Sequence, residues 1–328
     1  MAAGPLVVTF EVSPRGRAII AEELRDAGKA VYLSGTDAGE RPAVLRGAAA
    51  LRAYNMAVEL TPGELPLIAT ARLLQFVTAG IDWIPLNALP AGLPVACNAG
   101  ASAEPMAEHI LAMTLAAAKR LFAEHANLKR GEFNQNNENR MLQGAVCGIL
   151  GFGGVGVATA RVMRALGMRV HAINRRGVSD KPVDWIGTPD RLDELLSAAD
   201  VLVVATSLTK ATEGMIGARE LALMKEAAIL VNVARGEIVD EAALYAHLKA
   251  HPEFTACIDA WWIEPVRHGH FAMSHPFLDL PNVIGSPHNS AGGGVWRHVA
   301  LRRAAANCRR ALLGETPLHL IGPDERMM

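Results

Sequence analysis

AVCGILGFGGVGVATARVMRALGMRVHAINRRG, residues 145–177, decides how the rest of the chain is read. A short aliphatic run ends in Gly151-Phe152-Gly153-Gly154-Val155-Gly156, an alanine-containing helical pattern follows, and a second aliphatic run, MRVHAIN, closes the stretch. Strand, glycine-rich turn, helix and second strand form the context in which a GxGxxG pattern acquires meaning. There the first glycine, Gly151, permits a tight turn, and the second, Gly153, lets backbone approach a pyrophosphate. The third, Gly156, lets helix and strand pack closely, and the turn opens the helix VATARVMRAL, whose N-terminus favours an anion. The stretch reads as a dinucleotide-binding turn.

A ribose-binding acid belongs at the end of the second strand of such a unit. Here the position carries Asn174, followed by Arg175 and Arg176. An acid would repel a 2′-phosphate, whereas a neutral residue followed by two guanidinium groups attracts one through charge-assisted hydrogen bonds. NADP(H) is the expected cofactor, with NAD(H) possible in its place.

Outward from this unit, short β-branched or aliphatic runs alternate with helical patterns almost throughout, the signature of parallel sheets covered by helices. AVCGILG, MRVHAIN, DVLVVAT, AAILVNVA, FTACIDA and NVIGSP read as six strands of one sheet. Before them, PLVVTF, KAVYL, AAALRAY, RLLQFV and LPVACN read as strands of another, and TPGEL offers Thr61, Pro62 and Glu64 as a capping box. One helix is expected from Ser102 to Lys129, and a long one over VWRHVALRRAAANCRRALLG with Gly314 as its stop. A chain of 328 residues is long enough for two cores. The expected organisation is α/β with two doubly wound parallel-sheet domains. The first, for substrate, comprises residues 1–99 and 290–328, and a Rossmann-type dinucleotide-binding domain spans 100–289.

With 32 basic and 33 acidic residues scattered along the chain, no basic surface for nucleic acid or an anionic membrane is expected. The four cysteines, Cys97, Cys147, Cys257 and Cys308, lie far apart without a CxxC pair, so neither a metal site nor a disulfide framework is indicated. The longest apolar helical run, HILAMTLAAA, is ten residues, against roughly 20 for a bilayer span. Without a secretion-signal pattern at residue 1 either, a cytoplasmic protein is expected.

Chemistry concentrates behind the later strands. Arg235 follows AAILVNV, Asp259 ends FTACID with Glu264 five residues on, and His288 follows NVIGSP, all at the carboxyl edge where open α/β sheets bind ligands. Hydride addition to a 2-oxo acid needs a fixed cation for the carboxylate and a proton donor for the carbonyl oxygen. Arg235 can supply a bidentate clamp, His288 the proton, and Glu264 can hold the ring and favour its protonated form.

In GFGGVG, VNVARGEIVDEAAL, the segment from Asp259 to Glu264, LPNVIGSPH and AEHILAMTLA, in this order and spacing, the chain resembles the D-isomer-specific 2-hydroxyacid dehydrogenase family, and most of all its glyoxylate/hydroxypyruvate reductase branch. The resemblance spans nearly the whole chain. It implies a flavodoxin-like substrate domain, a small 2-oxo or 2-hydroxy acid as substrate, a homodimer made through the helix from Ser102, and Arg235, Glu264 and His288 as the catalytic set. It also implies that Ala79 and Gly80 hold the substrate carboxylate by their backbone. On the cofactor side it implies Gly154 and Val155 at the pyrophosphate and Ser207, Leu208 and Thr212 along the adenosine. Val233, Ala234, Met106 and Asp259 are implied at the nicotinamide.

Two departures from the family pattern stand out: Ser207 where many members carry proline, and Trp261-Trp262 after the aspartate. Trp261, Trp262 and Trp296 read as core or interface packing first and as a pocket wall second. Two other readings remain at this point. Formate or phosphite oxidation uses the same scaffold, but formate dehydrogenases carry glutamine where Glu264 stands. A cofactor-sensing corepressor keeps the fold and the triad, yet usually carries extra tails.

Overall fold

The computed structural model describes residues 4–294 and 296–322. Val295, with which the predicted terminal helix begins, and the outermost residues of both terminal segments lie outside the described residues. The chain divides into two compact units, Met1–Ala101 with Gly293–Met328, and Ser102–Gly292.

The first unit is built on five parallel strands: β1 (Leu6–Val8), β2 (Ala30–Tyr32), β3 (Ala50–Ala53), β4 (Leu74–Phe76) and β5 (Val95–Ala96), in the order β2-β1-β3-β4-β5. β1, β3, β4 and β5 are buried along their whole length, as expected of a sheet covered on both faces. One face is covered by the helix Pro14–Leu24 and the last helix, Trp296–Leu312, whose Ala305, Cys308, Ala311 and Leu312 pack with Leu6, Val8 and Ala50. Gly314, at φ 78°, takes the left-handed conformation that stops this helix.

The capping box predicted at Thr61 caps no α-helix. Glu64 accepts from the Thr61 backbone N–H at 2.9 Å and from its hydroxyl, but the chain continues into a four-residue 3₁₀ helix, Leu65–Ile68. The carboxylate of Glu64 also takes both Nε and Nη2 of Arg41. The Arg41 hydrogen bond outweighs burial and holds the Glu64 carboxyl down at about 2.

The second unit carries a seven-stranded parallel sheet: β6 (Val146–Leu150), β7 (Arg169–Ile173), β8 (Trp185–Gly187), β9 (Val201–Val204), β10 (Ile229–Asn232), β11 (Thr255–Ile258) and β12 (Val283–Gly285). Their order, β12-β11-β10-β9-β6-β7-β8, reverses direction where β6 pairs with both β7 and β9. That switch point opens a crevice at the carboxyl ends of the strands, and the glycine turn follows β6 into it. Six strands were predicted, and β8 is the addition. It is a three-residue edge strand, tied in by Asp184, which accepts from the Val170 N–H at 2.7 Å, and by the Trp185 ring lying under Arg191.

The single helix predicted over Ser102–Lys129 is two: Ala103–Ala118 and Leu121–Lys129, separated by Arg120 in the left-handed region at φ 52°. The first buries Ala107, Ile110, Met113 and Ala117 against the sheet and the helix Gly154–Ala165. The second buries nothing and leaves Leu121, Phe122 and Leu128 exposed, so no packing forces it to continue the axis of the first. No described helix is long and apolar enough to cross a membrane. All four cysteines are buried.

Candidate active site

The three glycines of the turn are required for three different reasons. Gly151 sits at φ 103°, and a Cβ there would lie 2.6 Å from the Thr206 backbone nitrogen. At Gly156 a Cβ would lie 2.2 Å from the Gly151 carbonyl oxygen. Around Gly153 there is open space, and it directly precedes Gly154, the first residue of the helix Gly154–Ala165. A bare backbone facing open space at a helix N-terminus fits a pyrophosphate.

Asn174 has a different task from the one its neutrality alone suggested. Its Oδ1 accepts the backbone N–H groups of Arg176 and Gly177 at 2.9 and 2.7 Å, and its Nδ2 donates to the Val178 carbonyl. The side chain builds the turn on which Arg175 and Arg176 stand exposed. Ser207 is exposed, and Thr212 donates its hydroxyl proton to the Ser207 carbonyl at 2.7 Å. Leu208 and Val233 are buried, and Val233 packs in the core of the second unit. Ala234 and Met106 are partly exposed.

Arg235, Glu264 and His288 are brought together from three loops. Arg235 stands in extended conformation just before Gly236, where a Cβ would come within 2.5 Å of the Trp261 carbonyl carbon. This close backbone approach seats the arginine loop on the Asp259–Glu264 segment. Asn232 braces the same loop, donating to the Arg235 carbonyl and accepting from the Ala234 N–H. Glu264 is buried and accepts the Trp261 N–H at 2.7 Å. Both of its oxygens lie 2.8 Å from His288 Nδ1. Burial pushes the Glu264 carboxyl up, but the His288 and Trp261 hydrogen bonds and the charges of His288 and Arg235 overcome it, leaving the group below the ordinary carboxylate value. A carboxylate on Nδ1 leaves Nε2 of the ring as the atom that can give up a proton outward.

His288 itself adopts the left-handed conformation at φ 49°, uncommon for a residue other than glycine. Asp259 is fully buried and holds the backbone behind it. In this structure it presents no surface to a ligand, so a carboxamide contact there would need its present partners to part. Ala79 and Gly80 lie in the first unit, in the loop after β4, with Ala79 exposed.

The tryptophans are packing residues. Trp261 is buried and donates its indole N–H to the Ser286 carbonyl, and Trp262 stacks on Phe277 at 5.2 Å and donates to the Val239 carbonyl. Trp296 donates to the Ala101 carbonyl. Sequence reading passed over His109 and Ser286, although His109 stands inside the quoted AEHILAM; Ser286 Oγ lies 3.0 Å from His109 Nε2.

Residues 111–290 match the profile of the D-isomer specific 2-hydroxyacid dehydrogenase NAD-binding domain. A glyoxylate reductase of Aeropyrum pernix is 32% identical over 77% of this chain and 77% of its own. The chain belongs to the D-isomer specific 2-hydroxyacid dehydrogenase family. A second relative, the D-3-phosphoglycerate dehydrogenase of Archaeoglobus fulgidus, is 36% identical over 70% of this chain, and the match spans only 44% of that longer protein. Among solved structures, a candidate formate dehydrogenase of Pyrobaculum aerophilum superposes with a TM-score of 0.78 at 29% identity, over 98% of this chain and 99% of its own. The family's cofactor is a nicotinamide dinucleotide, and the glycine turn fits one.

Proposed function

We propose that this family member is an NADPH-preferring reductase of small 2-oxo acids such as glyoxylate or hydroxypyruvate, yielding the D-2-hydroxy acid. The observation that carries the reading is the buried Glu264 carboxylate on His288 Nδ1, which leaves Nε2 as a proton donor beside Arg235. Bound reduced nicotinamide supplies the hydride for the carbonyl carbon. In this reading His288 gives its Nε2 proton to the carbonyl oxygen, while Glu264 stabilises the charged ring before transfer. Arg235 holds the substrate carboxylate as a planar fork and polarises the carbonyl. The units Met1–Ala101 with Gly293–Met328 and Ser102–Gly292 serve as substrate and cofactor domains respectively.

The cofactor preference is supported by the turn that Asn174 builds for Arg175 and Arg176, with no carboxylate at the strand end to repel a 2′-phosphate. A dimer is supported by the exposed Leu121, Phe122 and Leu128, and light scattering at the monomer mass would remove that part. Formate oxidation is the second reading, favoured by the Pyrobaculum aerophilum likeness and opposed by the acid at Glu264. One assay separates them: loss of NADPH absorbance with glyoxylate and hydroxypyruvate, run beside NADP⁺ reduction with formate. Turnover of formate alone would reject the proposed reductase.

A further inference from the structure

Asp259 grips three consecutive backbone N–H groups. Its carbonyl accepts from His288 N at 2.9 Å, its Oδ1 from Asn289 N at 3.1 Å, and its Oδ2 from Ser290 N at 3.2 Å. These are the N–H of His288 and the two that follow it, and His288 is left-handed, a conformation that persists only where its surroundings over-determine it. The grip depends on the carboxylate keeping its rotation, because each oxygen serves a different N–H. What fixes that rotation is Ser286, whose Oγ lies 2.5 Å from Oδ1.

Serine has one hydroxyl proton, and the Asp259 oxygens already act as acceptors, taking the Asn289 and Ser290 N–H groups. Ser286 therefore donates to Asp259, and its oxygen can only accept from the next neighbour, His109 Nε2, at 3.0 Å. His109 must carry a hydrogen on Nε2. The same nitrogen lies 3.7 Å from Asp259 Oδ1, so the ring's polar edge faces the carboxylate from the helix Ala103–Ala118.

We propose that His109 is a positioning residue: through Ser286 it locks the Asp259 carboxylate, and through Asp259 it holds the His288 loop in its left-handed conformation. The catalytic half of this inference rests on the reading of His288 as proton donor. The anchoring half does not. His109 touches neither substrate nor the donor atom, so its effect falls on the alignment of His288.

The test uses the full chain and the variants His109→Leu, His109→Gln and Ser286→Ala, in two measurements. In hydrogen exchange, the segment carrying the 288–290 amides should exchange about tenfold faster in His109→Leu and Ser286→Ala, while His109→Gln, which still presents an N–H, keeps most of the protection. In turnover with glyoxylate and NADPH, His109→Leu should lower kcat about fivefold to tenfold, roughly the share of one hydrogen bond, with KM for NADPH unchanged and His109→Gln restoring the rate. Adding His109→Leu to Ser286→Ala should cost nothing further, because the two act in one chain. Unchanged exchange in His109→Leu, equal losses for leucine and glutamine, or additive losses in the double variant would overturn the proposal. A wild-type chain without reductase activity would instead reject the proposed function, and the exchange measurement would still decide the anchor.

Discussion

At the carboxyl end of β7 two arginines stand exposed on a turn, whereas in the segment that follows β11 two carboxylates, Asp259 and Glu264, are buried and each is met by several donors. Both regions belong to one sheet, on opposite sides of its switch point. On the exposed side, charge is screened by solvent and salt and can be exchanged residue by residue. On the buried side, removing one partner leaves another polar group unpaired where water cannot replace it. Changes on the buried side should therefore be the more severe.

The largest effect is expected where the proposed proton donor and clamp stand by the buried Glu264 carboxylate. His288→Asn should lower kcat by roughly 10² to 10⁴ while NADPH binding survives, measured by turnover beside cofactor fluorescence titration. Arg235→Lys should be of similar severity, since a point charge cannot replace the planar fork. A mild loss for either would put the proton donor or the clamp elsewhere. Next comes the exposed side: Arg175→Ser with Arg176→Ser should erase an NADPH preference of about ten- to a hundredfold and leave NADH use nearly intact, in accord with one or two charge-assisted bonds trimmed by exposure. Adding Asn174→Asp, which keeps an oxygen for the turn, should invert the preference. Parallel loss of both cofactors would make the turn merely structural.

How much of this contrast the residues announce depends on how local each feature is. The glycine turn and the alternation of strands and helices are readable because each is set by neighbours in the chain: Gly151 needs a positive φ and β6 is one unbroken apolar run. Strand β8 escaped because three residues at a sheet edge, Trp185–Gly187, show no period. The break at Arg120 escaped because neither glycine nor proline marks it, and only the lack of a surface to bury explains it. Arg235, Glu264 and His288 could be singled out as residue types behind strands, and their chemistry pairs the last two, but the sequence does not say which ring nitrogen the carboxylate takes. His109, Ser286 and Asp259 are separated by up to 177 residues, and no pattern in the chain joins them.

A subtler break in the comparison comes from Glu264→Gln. Without the carboxylate the His288 ring loses the partner that fixes Nδ1, so kcat should fall about tenfold with KM for NADPH unchanged, the share of one charge-assisted hydrogen bond. An unchanged kcat would assign Glu264 to structure alone. The smallest effect should come from the first unit, where the Glu64 carboxyl is depressed to about 2 by Arg41. A depressed carboxyl contributes stability above its unfolded value, and that contribution drains away as pH falls from about 4.3 toward the folded value. Glu64→Gln should flatten the loss of denaturant stability across that acid window, and an unchanged slope would show that the pair contributes nothing.

The four buried thiols are distributed two to a unit, Cys97 and Cys308 in the first and Cys147 and Cys257 in the second. Burial pushes Cys147, Cys257 and Cys308 up to about 12, so in the folded protein their reactive thiolate is scarce as well as shielded. Each pair is thus a built-in clock for its own half of the molecule. Pulse alkylation followed by peptide mapping would time the opening of each half separately, without any label being introduced, and saturating NADPH should slow the clock at Cys147 and Cys257 in proportion to its hold on that unit.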